Sequence, residues 1–304
     1  MTREQVLALF ESIKRGRTRG GGRALNKPLL LLHALARFAD GDERLRFTEI
    51  EDAVKRLLID FGPADGPYHV SYPFWRLQND GLWVVENADA VEENASGDPR
   101  SLVALRELDP VGRFTDEVAD ALRTDPSLVG ELMDGILADE FPSEAYDDEV
   151  RTAIGFDRDP PSDVILTRRR RRDPTFRKRV LDAYEHRCAV CGFSAMVGDA
   201  HIGLDAAHVK WHQYGGPDEV PNGLALCALH HRLLDRGAFT VTASGSRERV
   251  VEVSERARGN EGFQQWMLAY HGQPLSEPVR TEYRVSEPAT VWHQKQVFKG
   301  LPRT

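Results

Sequence analysis

The 304-residue chain contains only three cysteines and lacks any long apolar run. Three thiols cannot all pair in disulfides, no secretory signal precedes them, and cytosolic thiols stay reduced, so a cytoplasmic protein is expected rather than a disulfide-rich secreted one. No apolar run approaches the roughly 20 residues that a membrane-spanning helix needs. Hydrophobic residues nevertheless make up 41% of the chain, which is ample for real cores, and the length predicts two domains.

The three cysteines are concentrated, together with five of the ten histidines, between residues 188 and 231. Cys188 and Cys191 form a Cys-x2-Cys pair, and Cys227 and His230 form a Cys-x2-His pair after 35 intervening residues. Two such short loops let four ligands close tetrahedrally on zinc. A disulfide and ordinary buried thiols are the alternatives, and the odd number of cysteines disfavours the first. The spacing therefore predicts a structural Cys3His zinc site.

Between the two half-sites lies an alternating segment that predicts a strand, Leu204–Lys210, followed by Asn222-Gly-Leu and then by His230-His231. A short hairpin and a helix pinned by zinc can hold two side chains and one metal ion around a scissile phosphate. His208 is placed to take the proton from an attacking water. His231 follows a zinc ligand on the predicted helix and so points about 100° away from it, where it can bind a separate catalytic cation.

The order of these residues resembles the HNH nucleases over residues 174–240. The resemblance implies a zinc-stabilised ββα-metal domain that hydrolyses DNA phosphodiester bonds with magnesium or manganese, and it implies that Asn222 fixes the loop that orients His208. Many HNH enzymes place an acid directly before the first histidine as a metal ligand, whereas this chain has Ala207. Positions 205 and 207 of a strand share a face, so Asp205 is either the replacement ligand or a surface carboxylate.

A basic run lies ahead of the first zinc half-site, in a chain whose net charge is −8. It supplies eight cations, at Arg168–Arg172, Arg177, Lys178 and Arg179. Such a run is either a solvated linker or a track for DNA phosphates, and its place beside the nuclease-like segment favours DNA contact.

Prolines and charges replace periodicity between the two halves of the chain. We therefore place a basic linker at residues 155–173, an N-terminal domain at 1–154, and a nuclease domain with a C-terminal tail at 174–304. The predicted fold is α+β: a mainly helical N-terminal DNA-recognition domain followed by the zinc-stabilised ββα-metal domain.

The N-terminal domain contains two segments suited to DNA. A glycine-rich basic loop at residues 14–23 enters a strongly apolar helix at Leu25–Pro28, and such a loop can contact phosphates. The segment Tyr68–Trp83 concentrates five aromatic residues, most of which are expected in the core. Tyr72 and Pro73, at a helix start, are expected instead to present a small apolar dimple beside cations.

Lys27-Pro28 with the four leucines that follow, and Tyr72–Leu77, resemble the sulfur-binding domains of phosphorothioate-dependent restriction endonucleases. With the HNH segment, the whole chain resembles a McrA-type, type IV restriction enzyme. The resemblance implies that double-stranded DNA carrying a phosphorothioate is bound, with the sulfur held by Tyr72, Pro73 and Phe74 and the phosphate and flanking groups held by Asn26, Lys27, Arg76 and Arg100. Relatives often carry a histidine and a basic residue at the pair matching positions 26 and 27, and Asn26 departs from that pattern.

Two other functions stay open on the sequence. One is an HNH nuclease whose N-terminal domain recognises methylated cytosine, which base-flipping aromatic residues would distinguish. The other is a non-enzymatic, zinc-dependent DNA-binding protein, which Ala207 favours if its missing carboxylate abolishes catalytic-metal binding. Cleavage of both strands by one active site per chain is easiest with two chains, so a homodimer is also expected.

Overall fold

The computed structural model describes residues 1–16, 24–62, 68–141, 144–156, 174–244 and 248–304. Outside residues 63–65, the chain divides into two compact units, one ending at residue 168 and the other beginning at residue 169. Each unit has its own hydrophobic core. The run Arg168–Arg172 and most of the predicted linker lie outside the described residues. Among the residues that are described, no helix combines the length and the apolar character needed to cross a membrane.

The first unit is mainly helical, as predicted. Its described part contains the helices α1 (Arg3–Glu11), α2 (Asn26–Ala39), α3 (Phe47–Phe61), α4 (Ser71–Arg76), α5 (Leu102–Leu108), α6 (Asp116–Thr124), α7 (Ser127–Glu140) and α8 (Glu144–Ala153). Three short strands, β1 (Leu45–Arg46), β2 (Trp83–Val85) and β3 (Val111–Phe114), form an antiparallel sheet with β3 in the centre.

Helix α2 is the apolar helix that the sequence predicted. The four leucines at Leu29–Leu32 are at most 1% exposed, which places them in the centre of the first core. Pro28 lies in the first turn of the helix, where a missing N–H costs no hydrogen bond. Gly112 of β3 is required by close packing, because a Cβ at that position would lie 2.2 Å from the ring of Trp83.

The second unit is built from hairpins and helices. Its described part begins with α9 (Pro174–Ala183) and continues through three hairpins, β4 (Ala195–Val197) with β5 (Ala200–Ile202), β6 (Leu204–His208) with β7 (Gly223–Cys227), and β8 (Phe239–Ser244) with β9 (Glu248–Val253). Helix α10 (Ala228–Asp235) follows β7 directly, and α11 (Glu261–Trp266) and α12 (Glu287–Gln296) complete the unit.

The predicted hairpin-then-helix arrangement is confirmed in β6, β7 and α10. The two strands pair antiparallel, with Leu204 opposite Cys227 and His208 opposite Gly223. Gly223 allows α9 to cross this hairpin closely, because a Cβ there would lie 2.5 Å from a methyl carbon of Val180. The register therefore places one zinc half-site and the candidate base at opposite ends of the same strand pair.

The hairpin predicted for Phe239–Val253 is also confirmed. The helix predicted for Phe263–Tyr270 is only partly present, because α11 ends at Trp266 and a separate 3-10 turn follows at Leu268–Tyr270. The break falls at Met267, which has φ −136° and is fully buried.

Candidate functional site

The four predicted zinc ligands converge in the second unit. Cys188 and Cys191 lie in the turn after α9, Cys227 ends β7, and His230 lies in the first turn of α10. Their ligand atoms all lie within 4.8 Å of one another. Sγ of Cys227 is 3.1 Å from Nδ1 of His230 and 4.0 Å from Sγ of Cys191. Zinc bonds of about 2.0–2.3 Å in a tetrahedron give ligand separations of roughly 3.5–3.8 Å, so the four groups fit one ion.

The surroundings of His230 suit a metal ligand. Its Nε2 donates a hydrogen bond of 2.8 Å to the carbonyl oxygen of Trp266, while Nδ1 faces the sulfurs. A carbonyl partner of this kind fixes the tautomer of a metal-binding histidine. The pKa of Cys227 lies well below its usual value because the thiols of Cys188 and Cys191 hydrogen-bond to its sulfur. The thiolate that results is the form that binds metal.

His208 ends β6 in a nearly buried position and is 9% exposed. Phe176 of α9 covers one face of its ring, with ring centroids 4.1 Å apart and planes 21° apart. Nε2 of His208 lies 2.7 Å from Oδ1 of Asp218, which belongs to the loop between β6 and β7. Neither of these two neighbours was predicted from the sequence.

Asn222 ties down the backbone that follows His208. Its Oδ1 accepts a hydrogen bond of 2.9 Å from the N–H of Lys210, and its Nδ2 donates to the carbonyl oxygens of Lys210 and Pro217 at 2.9 Å and 3.0 Å. Asn222 is 2% exposed, so water competes little for these bonds. The amide braces both ends of the loop that carries Asp218.

His231 lies between two carboxylates. Its Nδ1 is 3.7 Å from Oδ2 of Asp205, and its Nε2 is 3.5 Å from Oδ2 of Asp235, one turn further along α10. Two atoms bonded to one divalent ion at about 2.1 Å each can lie at most about 4.2 Å apart, so Asp205 and His231 fit a shared ion. His231 and then Arg177 hold the pKa of Asp205 below its usual value, although partial burial opposes them.

Two of the predicted DNA-contacting cations, both on α9, form hydrogen bonds within the second unit. Arg177 donates to the carbonyl oxygen of Leu204 at 2.7 Å, and Arg179 donates to the carbonyl oxygen of Asp218 at 2.9 Å. Arg177 therefore supports the start of β6 and Arg179 supports the loop between β6 and β7, a role that was not predicted from the sequence.

In the first unit, the structure gathers several of the predicted DNA-binding residues around Tyr72. The Tyr72 ring is 42% exposed and lies 5.2 Å below the guanidinium carbon of Arg76. Its edge meets the ring of His69, at a centroid distance of 5.8 Å. The side-chain amide of Asn26 donates a hydrogen bond of 2.8 Å to the carbonyl oxygen of His69. Arg76 also forms a two-pronged ion pair with Asp98, which is only 4% exposed.

Phe74 corrects the predicted sulfur pocket. Its side chain is fully buried and packs against Phe47 and Trp83, with ring centroids 5.1 Å and 6.0 Å away, so it does not line a surface. Residues 72 and 76 are one helical turn apart and share a face, whereas residue 74 points to the opposite side. The neighbouring Pro73 is also largely buried. Phe74 therefore belongs to the hydrophobic core of the first unit.

The two remaining predicted DNA contacts differ in exposure. The ammonium group of Lys27 forms an ion pair with Asp80, and the side chains are 14% and 3% exposed, so this charge is neutralised near the core. Arg100 is 71% exposed, and its guanidinium lies 3.5 Å from the exposed carboxylate of Glu92. Exposed pairs of this kind contribute little to stability, so Arg100 can exchange its partner at small cost.

Comparison with known families identifies both units. The profile described as HNH endonuclease matches residues 188–242, so the chain is a nuclease with an HNH domain. The profile described as "ScoMcrA-like, DNA sulfur-binding domain" matches residues 3–158, just over half of the chain. The protein belongs to this family. The resemblance and the α+β fold predicted from the sequence are confirmed, and the non-enzymatic alternative is set aside.

Solved structures similar to the first unit include the sulfur-binding domains of ScoMcrA and SprMcrA, each complexed with phosphorothioated DNA. They are 24% and 22% identical, cover 49% and 51% of this chain and 97% and 95% of their own, and have TM-scores of 0.42. The type IV phosphorothioation-dependent restriction endonuclease ScoMcrA is 24% identical with a TM-score of 0.41, over 48% of this chain and 32% of that protein. A comparison with curated proteins finds no match.

Proposed function

We propose that this protein is a modification-dependent restriction endonuclease, which binds phosphorothioated double-stranded DNA and hydrolyses phosphodiester bonds nearby. The observation that carries the proposal is the presence on one chain of a DNA sulfur-binding domain and an HNH endonuclease domain. In this proposal, residues 1–154 recognise the modification, residues 155–173 form a linker, and residues 174–304 cleave the DNA.

We assign recognition of the sulfur to the surface around Tyr72. Sulfur is larger and more polarisable than oxygen and accepts hydrogen bonds more weakly, so contact with an apolar surface desolvates an ordinary phosphate oxygen at a greater cost. The half-exposed ring of Tyr72 supplies such a surface beside Pro73. Arg76 supplies the charge for the remaining phosphate oxygens, since Asp98 occupies two of its five N–H donors.

Contacts to the flanking nucleotides are assigned to Asn26 and Arg100, which precede and follow Tyr72 and Arg76 in the sequence. Arg100 follows Asp98 by two residues, in a turn that Asn94 stabilises by accepting the backbone N–H of Asp98. Asp98, whose ion pair fixes Arg76, and the exposed Arg100 therefore lie in one short loop. Lys27 is paired with Asp80 and Phe74 is buried in the core, so neither is assigned a contact with DNA.

Cleavage is assigned to the β6–β7–α10 module. His208 takes the proton from the attacking water, and Asn222 keeps its loop in place. Asp205 and His231 would hold a magnesium or manganese ion, with the buried Asp235 orienting His231 through its other ring nitrogen. A bound ion of this kind supplies stabilisation of the negative charge on the phosphorane and the departing 3′ oxygen. Each chain supplies one such site, so we propose that a homodimer cuts both strands.

The Cys3His cluster is assigned a separate, structural role. It joins the turn after α9 to the end of β7 and the start of α10, and thereby fixes the element that carries His231. All four ligand positions are occupied by protein groups, which is typical of structural zinc and leaves no coordination place for substrate.

The variant Tyr72→Ala is expected to lower the preference for phosphorothioated over unmodified DNA by about 10- to 100-fold. Removing a large apolar side chain from a contact costs about 1.5–3 kcal/mol, and the loss falls on the sulfur-containing duplex. Equilibrium binding of the two matched duplexes, measured by fluorescence anisotropy, gives the ratio of affinities.

Tyr72→Phe is the matched control, since it keeps the ring and is expected to retain the preference within about threefold. A wild-type protein that binds both duplexes equally would contradict the proposed function. A preference that survives Tyr72→Ala unchanged would place sulfur recognition elsewhere on the first unit.

A further inference from the structure

The candidate base His208 contacts a carboxylate to which the proposed function assigns no role. Nε2 of His208 lies 2.7 Å from Oδ1 of Asp218, and the side chains are 8% and 17% exposed. An ionised carboxylate only accepts hydrogen bonds, so Nε2 carries the hydrogen in this pair. A neutral imidazole with hydrogen on Nε2 has its lone pair on Nδ1. The contact therefore selects one tautomer of the histidine.

Asp218 is held in place by groups from three parts of the second unit. Arg179 of α9 donates to its carbonyl oxygen at 2.9 Å, and Asn222 donates to the preceding carbonyl oxygen, that of Pro217, at 3.0 Å. Gly216 lets the loop return tightly, because a Cβ there would lie 1.7 Å from the carbonyl oxygen of Lys210. These contacts fix the backbone at Asp218 and directly before it, and so fix the position of the carboxylate.

The ring of His208 is fixed in two independent ways. Phe176 stacks on one face at 4.1 Å and sets the plane of the ring. The bond to Asp218 sets which edge of the ring faces the loop and which faces away, because a flip of the ring would put the carbon Cε1 in the place of Nε2 and break the hydrogen bond. Stacking alone would allow both orientations. The carboxylate therefore selects one of the two ring orientations, which stacking on Phe176 does not.

We propose that Asp218 is a positioning residue for His208: it holds the base in the Nε2–H tautomer, with Nδ1 as the proton acceptor, and pairs with the imidazolium that forms. This inference rests on the role of His208 in the proposed function. As an O–H bond of water breaks, the proton goes to Nδ1 and the oxygen's electron pair forms the bond to phosphorus, while the bond to the 3′ oxygen breaks. Asp218 stays ionised throughout, as the carboxylate of a serine-protease triad does.

Two other charged or titratable groups lie beside Asp218, one at its carboxylate and one at its backbone, and their effects have to be separated from that of His208. Nε2 of His212 lies 3.7 Å from Oδ2 of Asp218, and Arg179 lies at its backbone. His212 is too distant for a hydrogen bond and approaches the other carboxylate oxygen. A test of the proposal therefore has to report on the His208 ring itself as well as on the rate.

The first measurement is the single-turnover cleavage rate of Asp218→Asn, with manganese and saturating phosphorothioated duplex. The amide can donate to Nε2 and so favours the wrong tautomer, and a fall of about 100-fold is expected with unchanged DNA affinity. Asp218→Glu keeps the hydrogen-bond acceptor and is expected to cleave at least tenfold faster than Asp218→Asn. Glu219→Gln, which removes the neighbouring exposed charge, is expected to stay within twofold of wild type.

The second measurement is the ¹⁵N spectrum of the histidine rings in the zinc-loaded full chain without DNA. The wild type is expected to show His208 as the Nε2–H tautomer, and Asp218→Asn is expected to shift it toward Nδ1–H. Asp218→Asn that cleaves as fast as wild type or faster would overturn the proposal, as would a wild-type His208 with its hydrogen on Nδ1. The spectrum needs no cleavage, so failure of the proposed function and failure of this inference remain distinguishable.

Discussion

His208→Ala is expected to lower the rate of DNA cleavage by about 10²- to 10⁴-fold, because alanine cannot take the proton from the attacking water. The effect should fall on the rate and leave DNA affinity unchanged, since the first unit has a core of its own and carries the proposed sulfur-binding surface. Single-turnover cleavage of a phosphorothioated duplex measures the rate, and anisotropy with the same duplex measures the affinity.

The matched control is His201→Ala, a histidine of β5 in the same unit that stacks on His186 and has no part in the proposed chemistry. It is expected to cleave within threefold of wild type. Equal cleavage by wild type and His208→Ala would remove His208 from the mechanism. Equal loss in both variants would point to damage of the unit as a whole.

Removal of the structural metal is expected to unfold the second unit while the first stays folded. Structural zinc contributes on the order of 10 kcal/mol, comparable with the whole stability of a domain of this size. Cys188 is fully buried among the residues of the second core, so Cys188→Ala opens the cluster and leaves a cavity there. Calorimetry should show one of two thermal transitions lost, and metal analysis should show zinc falling from about one ion per chain to none.

Met196→Ala is the control for this variant. Met196 lies in β4, between the two zinc half-sites in the sequence, and is 53% exposed, so truncating its side chain should leave both transitions and the zinc content unchanged. Phosphorothioate binding by the first unit should survive Cys188→Ala. A Cys188→Ala protein that keeps its zinc and both transitions would show that the cluster does not hold the fold together.

The parts of the site that depend on short spacings could be predicted from the sequence. Cys188 with Cys191, and Cys227 with His230, are local pairs whose geometry follows from the chain between them. The alternation before His208 predicted a strand, and β6 is present there. The carboxylate of Asp235 lies four residues after His231, a helical spacing that could have identified it as well.

The contacts that tune the site could not be predicted, because they join residues remote in the chain or placed by loops. Phe176 reaches His208 only through the packing of α9 on the hairpin, and Asp218 reaches it through a loop whose course depends on Gly216. In the first unit, the Tyr68–Trp83 segment contains so many aromatic residues that its composition alone did not show which side chains are exposed. Helical periodicity would have separated the exposed Tyr72 from the buried Phe74.

The central claim is that a phosphorothioate recognised by the first unit directs cleavage by the second. The most direct measurement is cleavage by the wild type, with manganese or magnesium, of matched duplexes that differ by a single phosphorothioate. Both stereoisomers, several flanking sequences and a duplex with methylated cytosine belong in the set. The account predicts that only phosphorothioated duplexes are cut. Equal cleavage of modified and unmodified duplexes, or cleavage that follows methylated cytosine instead, would contradict it.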